Sequence, residues 1–382
     1  MNFDLTEDQQ AFAQTARDFA RQEMAPHAAA WDAAQVFPVD VIKKAGELGF
    51  CGLYADADCG GLGLARLDAA LIFEQLAQGC TATTAYLTIH NMCTWMVSAF
   101  GDAPQRAEFG GELTSGRWLA SYCLTEPGAG SDAAALKTRA ARAGDDYVLD
   151  GSKMFISGAG STDVLVVMAR TAEGGAKGIS AFIVPAGLPG IGYGKNEAKM
   201  GWRAQPTRAI AFDNVRVPAR YRLGAEGEGF KIAMKGLDGG RLNIAACSLG
   251  TAQAALRAAH RYLQEREQFG KKLADFQALQ FRLADMATEL QAARLMVYHA
   301  ASKLDAGAAD ATALCAMAKR FATDACFSVC NDALQLHGGY GYLQEFPLER
   351  HVRDVRVHQI LEGSNEIMRL IVARHLLAQA EL

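Results

Sequence analysis

With 382 residues, half of them hydrophobic and 21% charged, the chain is long enough for two or three packed units and has the balance of a globular protein. A formal charge of −4, a pI near 6.1 and the lack of any long Lys/Arg block argue against a nucleic-acid-binding protein. Nine cysteines stand singly, and only Cys326 and Cys330 are close; with no His or second pair to complete a metal site, buried reduced thiols in a cytoplasmic protein are expected and no metal is assigned.

The acidic start, Met1–Asn2–Phe3–Asp4–Leu5–Thr6–Glu7–Asp8, lacks a signal or transit pattern. A bacterial cytoplasmic location is expected, with the mitochondrial matrix the alternative for a eukaryotic protein whose transit peptide has been removed. Thr6 followed by Gln9 predicts a capping box opening an amphipathic helix. From Leu5 to about Gly116 apolar residues recur at three- and four-residue spacing, as in the stripe Phe12, Ala16, Phe19 and Ala20. Turn-prone stretches at Asp58–Gly63 and Gly101–Pro104 separate the helices. The longest uncharged stretch, Gln75–Gly101, is interrupted by Thr, Asn, His and Gln. It reads as packed helix, since a membrane span needs about 20 mainly apolar residues. Residues 1–117 form the first, helical domain.

At Trp118 the period changes. Trp118–Leu124, Tyr147–Asp150, Val164–Met168, Ile179–Val184 and Ala209–Phe212 read as short strands punctuated by Gly, Pro, Asn and Asp, as in a small β-barrel or sandwich over 118–224. Within it, Tyr122–Cys123–Leu124–Thr125–Glu126–Pro127–Gly128–Ala129–Gly130–Ser131–Asp132 leaves a strand and turns sharply. Gly128 and Gly130 allow a backbone to approach a ligand, and Thr125 and Ser131 offer hydroxyls; a plain loop accounts for the same residues. Ser152–Lys153–Met154–Phe155–Ile156–Ser157–Gly158 repeats the theme, with Phe155 either stacked on a planar ring or in the core.

From Gly229 the helical period returns in long, Ala-rich segments, Ile244–Glu265, Phe276–Leu304 and Ala309–Leu336, suited to close packing in a bundle over 225–382. Arg266–Glu267–Gln268–Phe269–Gly270–Lys271 closes one helix with cations that suit either a phosphate or the helix dipole. Gln335–Leu336–His337–Gly338–Gly339–Tyr340–Gly341–Tyr342 is a helix stopped by glycines, and Ser364–Asn365–Glu366 opens another, a natural anion site. Glu362 ends the apolar run Val357–His358–Gln359–Ile360–Leu361 and precedes Gly363. Desolvation there would raise its pKa towards neutrality, as a general base requires; the alternative is a turn followed by an N-cap and a first-turn acid. No GxGxxG after a first strand, P-loop, HExxH or GxSxG is present, which argues against a nicotinamide-binding Rossmann unit, an NTPase, a zinc protease and an α/β-hydrolase.

Taken in order, TEPGAGSD, KMFISGAG, REQFGKKL, QLHGGYGY and ILEGSNEIMR resemble the acyl-CoA dehydrogenase family of flavoproteins over essentially the whole chain. The resemblance implies a mainly α, α+β fold: N-terminal helices, a middle β domain and a C-terminal four-helix bundle, assembled as a homotetramer. FAD would lie between the β domain and the bundles, partly across a subunit contact. Tyr122, Leu124, Thr125, Gly130, Ser131, Phe155, Ile156 and Ser157 would surround the flavin ring. Arg266, Phe269, Phe276, Gln277, Gln335, Leu336, Gly338 and Gly339 would hold the pyrophosphate and adenosine of a neighbouring subunit's FAD, and Ser364, Asn365 and Glu366 would cap the FAD phosphates. Ser131, Asp238, Gly239, Gly240, Arg241 and Arg374 would meet the acyl-CoA, with Glu362 the base. A minority branch carries its base just before the arginine that is here Arg241; that place is Gly240, which has no side chain to act.

The implied reaction is α,β-dehydrogenation of an acyl-CoA: Glu362 takes the α-proton, the β-carbon gives a hydride to flavin N5, and electron-transfer flavoprotein receives the electrons. Phe155, the stretch Lys199–Arg208, and Leu361 and Ser364 around the base resemble most the branch acting on isobutyryl-CoA in valine breakdown, giving methacrylyl-CoA. Butyryl-CoA and 2-methylbutyryl-CoA are the alternative substrates, and a catalytically silent flavin- and CoA-binding scaffold is the alternative of another class.

Overall fold

The computed structural model describes residues 4–379. Met1, Asn2 and Phe3 of the acidic start, and Ala380 to Leu382 at the end of the bundle, lie outside the described residues.

The N-terminal segment holds α1 (Glu7–Phe19), α2 (Ala28–Ala34), α3 (Val39–Glu47), α4 (Arg66–Ala77), α5 (Thr81–Phe100) and two short pieces, α6 (Ala103–Gln105) and α7 (Gly111–Thr114). Thr6 caps α1 as its sequence predicts: its hydroxyl accepts from the Gln9 amide at 3.2 Å, and the Gln9 side chain accepts from the Thr6 amide at 3.1 Å. The uncharged stretch 75–101 is two helices, with a break at Gln78–Cys80 where Gly79 packs against the Ala20 carbonyl. Residues 69–77 of α4 are buried on every side, because α4 is clasped between α1, α5, α8 and α9. No described helix is long and apolar enough to cross a membrane.

The middle segment is one hydrogen-bonded sheet of eight strands: β1 (Ala120–Cys123), β2 (Arg139–Ala143), β3 (Asp146–Ser157), β4 (Val164–Arg170), β5 (Ile179–Pro185), β6 (Ile191–Tyr193), β7 (Thr207–Pro218) and β8 (Arg222–Leu223). It has two lobes, β6-β7-β3-β2 and β1-β4-β5-β8, joined where Arg139 pairs with Arg170. β4 and β5 are apolar without alternation and buried on both faces; β7 alternates and keeps one face outward. The β3–β7 register slips between Lys153 and Ile156, and Phe155 sits in that irregularity with φ +58°.

After β8, α8 (Gly229–Glu265), α9 (Gln277–Asp305) and α10 (Ala311–Leu336) pack on one another, with α11 (Leu348–Arg356) and α12 (Asn365–Leu377) laid against α10. A small hairpin, β9 (Glu267–Gln268) and β10 (Lys271–Lys272), links α8 to α9. All nine cysteines are free and buried, and Cys315, Cys326 and Cys330 line the inner stripe of α10. α8 begins at Gly229, where the helical period returns, and runs unbroken into the segment from Ile244; its glycines are contacts: Gly236 meets Met96, Gly239 meets Arg66 and Gly250 meets the Glu74 carbonyl. The N-terminal helices are tied to the bundle by polar groups. Buried Glu74 accepts from Arg294 Nε at 2.9 Å and the Tyr298 hydroxyl at 2.7 Å, while Asp305 caps α4 by accepting from the Arg66 and Leu67 amides at 2.7 and 3.2 Å.

Candidate active site

Glu362 lies between α11 and α12 on a turn that is left-handed at two successive residues, φ +57° at Glu362 and +86° at Gly363. A glutamate pays a steric cost for that conformation, so the surrounding contacts hold it there. The turn drives the side chain inwards against α8, where the carboxylate abuts Gly240; a Cβ on Gly240 would stand 2.9 Å from Glu362 Cδ. Its Oε2 is buried and has no hydrogen-bond partner. Burial pushes the Glu362 pKa up to about 7, against the opposing pull of the Arg241 and Lys319 cations. A carboxylate half ionised at neutrality, with a free lone pair in an apolar setting, has the properties of a general base.

Three more buried polar atoms lack partners nearby: the Tyr122 hydroxyl, Arg241 Nε and Arg66 Nη1. Arg66 reaches Gly239, the neighbour of Gly240, and its guanidinium lies 3.6 Å from the Tyr54 ring centre and 4.8 Å from that of Trp95. Tyr122 and Tyr54 both feel the Glu362 charge, and burial raises the pKa of each. Tyr122, Arg241, Gly239 and Gly240 are thus gathered round Glu362, and Gly239 and Gly240 belong to helix α8. Asp238 is engaged internally. It accepts from Arg241 at 2.6 Å and from the Thr312 hydroxyl at 2.8 Å, and burial raises its pKa in spite of both.

The loop after β1 is held from below by a buried ion pair. Lys153 Nζ donates to Glu126 Oε1 at 2.8 Å and to the Leu124 carbonyl at 3.1 Å, and Glu126 also accepts from the Lys137 and Thr138 amides at 2.6 and 2.9 Å. Burial opposes both charges; it prevails at Lys153, whose pKa is lowered, whereas Lys153 and the amides hold Glu126 below the usual carboxylate range. The Met154 amide donates to the Thr125 carbonyl at 2.8 Å, joining the two motifs edge to edge. Above this base Gly130 and Ser131 are exposed, and a Cβ on Gly128 or Gly130 would meet nothing of the chain. Phe155 is 63% exposed, turned out of the strand by its positive φ. Leu124 and Ile156 instead put their side chains in the core and offer a ligand only backbone; the Ser157 carbonyl accepts from the Ser121 hydroxyl at 2.7 Å.

A separate cleft of about 740 Å³ opens at the end of the bundle, lined by Tyr262, Arg266, Gln335, His337, Gly338 and Tyr340 among others. His337 stacks on Tyr262 with ring centres 4.3 Å apart, and the Arg266 guanidinium lies 5.5 Å from the Tyr340 ring centre. Gly338, with φ +58°, and Gly339 have open space where a Cβ would sit, and Leu336, mostly buried in the core, also lines the cleft. Phe269 stands at the hairpin tip, 93% exposed, near Phe276 and the exposed Gln277. The cleft lining includes none of Tyr122–Ser131, Phe155–Ser157 or Ser364–Glu366, so within one chain the cleft is a separate place from these groups.

Two residues expected at a phosphate are engaged elsewhere. Asn365 is buried, donating to Thr323 Oγ1 at 2.9 Å and Asp324 Oδ1 at 2.7 Å and accepting from Lys319 Nζ at 2.9 Å. The Glu366 carboxylate bonds its own amide and the Ser364 hydroxyl, which hold its pKa down and place a negative charge at the helix N-terminus. Ser364 caps α12, accepting from the Ile367 amide at 3.5 Å. Arg374 is exposed in the last turn, about 14 Å along the helix from Asn365.

Sequence patterns did not single out Lys319, Arg66 or Tyr54. Lys319 carried one signal: it is a lone charge on the apolar stripe Cys315, Ala318, Ala322 and Cys326.

The family models for the acyl-CoA dehydrogenase N-terminal, middle and C-terminal domains match residues 6–117, 121–215 and 227–377. The chain belongs to the acyl-CoA dehydrogenase family, enzymes that oxidise a CH–CH bond with FAD. It is 55% identical to the mitochondrial isobutyryl-CoA dehydrogenase of Bos taurus over 98% of this chain and 90% of that one. The solved butyryl-CoA dehydrogenase of Megasphaera elsdenii superposes with a TM-score of 0.96 at 41% identity, covering 99% of this chain and 100% of that one. The solved FAD complex of PigA superposes with a TM-score of 0.95 at 31% identity, covering 98% of this chain and 99% of that one.

Proposed function

We infer that this enzyme converts isobutyryl-CoA to methacrylyl-CoA, with Glu362 as the base and an electron-transfer flavoprotein as acceptor, in valine breakdown. The observation that carries the base assignment is the buried, unpartnered Glu362 Oε2 on a carboxyl poised near neutrality. The similarity to the bovine isobutyryl-CoA enzyme supports the substrate.

The residues fit FAD. Gly128, Gly130, Gly338 and Gly339 have no contact within the chain that excludes a larger residue, so their smallness suits a ligand approaching the backbone. Phe155 is held outward in a strained conformation with its ring uncovered, as a wall for a planar ring would be. Thr125, Ser131 and Ser157 would flank the ring system, while Arg266 and the glycine turn at 338–339 would hold a phosphate and adenosine from a second subunit. The bare Phe269 and Tyr342, 93% and 80% exposed, support burial of this end in a homotetramer. FAD, when bound, supplies the acceptor for the hydride that leaves the β-carbon.

Everything else falls to the chain. Ionised Glu362 takes the α-proton of the thioester; the α C–H bond breaks and its proton passes to the carboxylate. Arg241 and Lys319 keep the base from being pushed further towards its neutral form. Tyr122 and Tyr54 wall the base from water. Arg374, far along α12, is placed to meet a distant part of a ligand as long as acyl-CoA.

The test is anaerobic bleaching of bound flavin by isobutyryl-, 2-methylbutyryl-, butyryl-, isovaleryl- and octanoyl-CoA at equal concentration. Fastest bleaching by isobutyryl-CoA is expected. Preference for butyryl- or 2-methylbutyryl-CoA would retain the mechanism and discard the substrate. An unbleached flavin with every thioester would leave the silent scaffold.

A further inference from the structure

Lys319 is fully buried in the middle of α10, and its ammonium is spent on the turn that carries Glu362. Nζ donates to the Gly363 carbonyl at 2.8 Å and to Asn365 Oδ1 at 2.9 Å. Asn365 is in turn bonded to Thr323 and Asp324, one helical turn further along α10, and Asp324 also accepts from Gln359 Nε2 at 2.8 Å. Both sides of Glu362 are therefore fastened to one face of α10. A lysine in such an apolar stripe costs more in desolvation than an alanine or cysteine would, a cost that its two hydrogen bonds to the turn offset.

We propose that Lys319 is the positioning residue of the catalytic base: it pins the left-handed turn that aims the Glu362 carboxylate and holds a positive charge beside it. The proposal rests on the reading of Glu362 as base. The charged and titratable groups facing Glu362 are Arg241 and Cys247 from α8, Lys319 from α10, Tyr122 from β1, Cys93 from α5 and Tyr54 from the segment before Arg66. Those facing Lys319 are Glu362, Asp324, Arg241, Glu366 and the buried His358. Of the two cations at Glu362, Arg241 acts the more strongly and is itself paired with Asp238 at 2.6 Å. Lys319 is hydrogen-bonded to two neutral oxygens, and its charge also faces the Asp324 and Glu366 carboxylates. Its own pKa is lowered by burial to about 8, and it stays largely cationic where Glu362 titrates.

The experiment is the pH profile of anaerobic flavin reduction by isobutyryl-CoA in FAD-loaded wild type and in Lys319→Met, Lys319→Gln and Lys319→Arg. In wild type the rate rises with pH through the ionisation of Glu362. Loss of the cation in Lys319→Met and Lys319→Gln moves that limb up by about one pH unit, so that reduction at about pH 6 slows roughly tenfold. Lys319→Arg, which keeps the charge, returns the limb towards wild type. A limb in folded, FAD-containing Met or Gln variants that coincides with wild type overturns the proposal, as does an Arg limb displaced as far as the Gln limb. Should Lys319→Met fail to fold, the Gln and Arg variants make the same comparison. A wild-type flavin that no acyl-CoA bleaches at any pH would instead sink the reading of the enzyme itself.

Discussion

Lys153→Met isolates the buried pair beneath the loop that follows β1. Lys153 is fully buried and Glu126 is 7% exposed, with 2.8 Å between the charged atoms. Removing one member of a buried pair leaves an uncompensated charge and costs about 3–5 kcal/mol. The Lys137 and Thr138 amides would still hold the Glu126 carboxylate, which argues for the lower end, about 3 kcal/mol, or roughly a hundredfold in the folded-to-unfolded ratio. Urea unfolding followed by circular dichroism reads this loss, and flavin content after dialysis reads the slackening of the loop that carries Gly130 and Ser131. The double variant Lys153→Met/Glu126→Gln removes both charges and recovers part of the loss, since its single amide oxygen can accept from only one of the Lys137 and Thr138 amides, which bond to different carboxylate oxygens. A Lys153→Met protein within about 0.5 kcal/mol of wild type would refute the reasoning.

Gly240→Ala places a methyl group against the Glu362 carboxylate, 2.9 Å from Cδ, and the base must move. Flavin reduction slows by about a hundredfold with FAD retained; an unchanged rate in stopped flow would show that the carboxylate has room. Arg266→Ala is expected to lower FAD retention more than it slows reduction in FAD-saturated enzyme, so equal flavin content after gel filtration counts against its role. Burial lowers His351 and His358 to about 3 and His90 to about 4. Each contributes stability that is present above the unfolded value near 6.5 and is lost as pH falls below it; Asp354 and Glu362, both raised to about 7, act in the opposite sense over the same range. His358→Gln is therefore expected to lose less stability than wild type between about pH 7 and pH 5 in urea titrations, and identical losses would contradict it.

Periodicity made the helices and strands of this chain legible because most have one apolar face. The failures have local causes. Gly236, Gly239 and Gly240 lie outside the segment Ile244–Glu265 read as helix, yet they belong to α8, and Met96, Arg66 and Glu362 occupy the space their side chains would need. Gly79 broke a stretch that reads as one helix for the same kind of reason, its contact with the Ala20 carbonyl. At the candidate site, Glu362 was visible from its apolar neighbours and the glycine after it. Lys319 was not, since 43 residues separate it from Glu362 and only packing of α10 under the turn joins them. Asn365 reads as a helix-start residue free to meet a phosphate, but the turn aims it at Thr323 and Asp324.

The most direct test of Glu362 as base is stopped-flow reduction of the bound flavin by isobutyryl-CoA in wild type and Glu362→Gln. Wild type should be reduced at a rate that rises with pH through about 7, following the ionisation of its buried carboxyl. Glu362→Gln should keep FAD and bind acyl-CoA, yet be reduced at least about a hundredfold more slowly, with no such rise. Reduction of Glu362→Gln at near the wild-type rate would contradict the assignment and place the α-proton with another group.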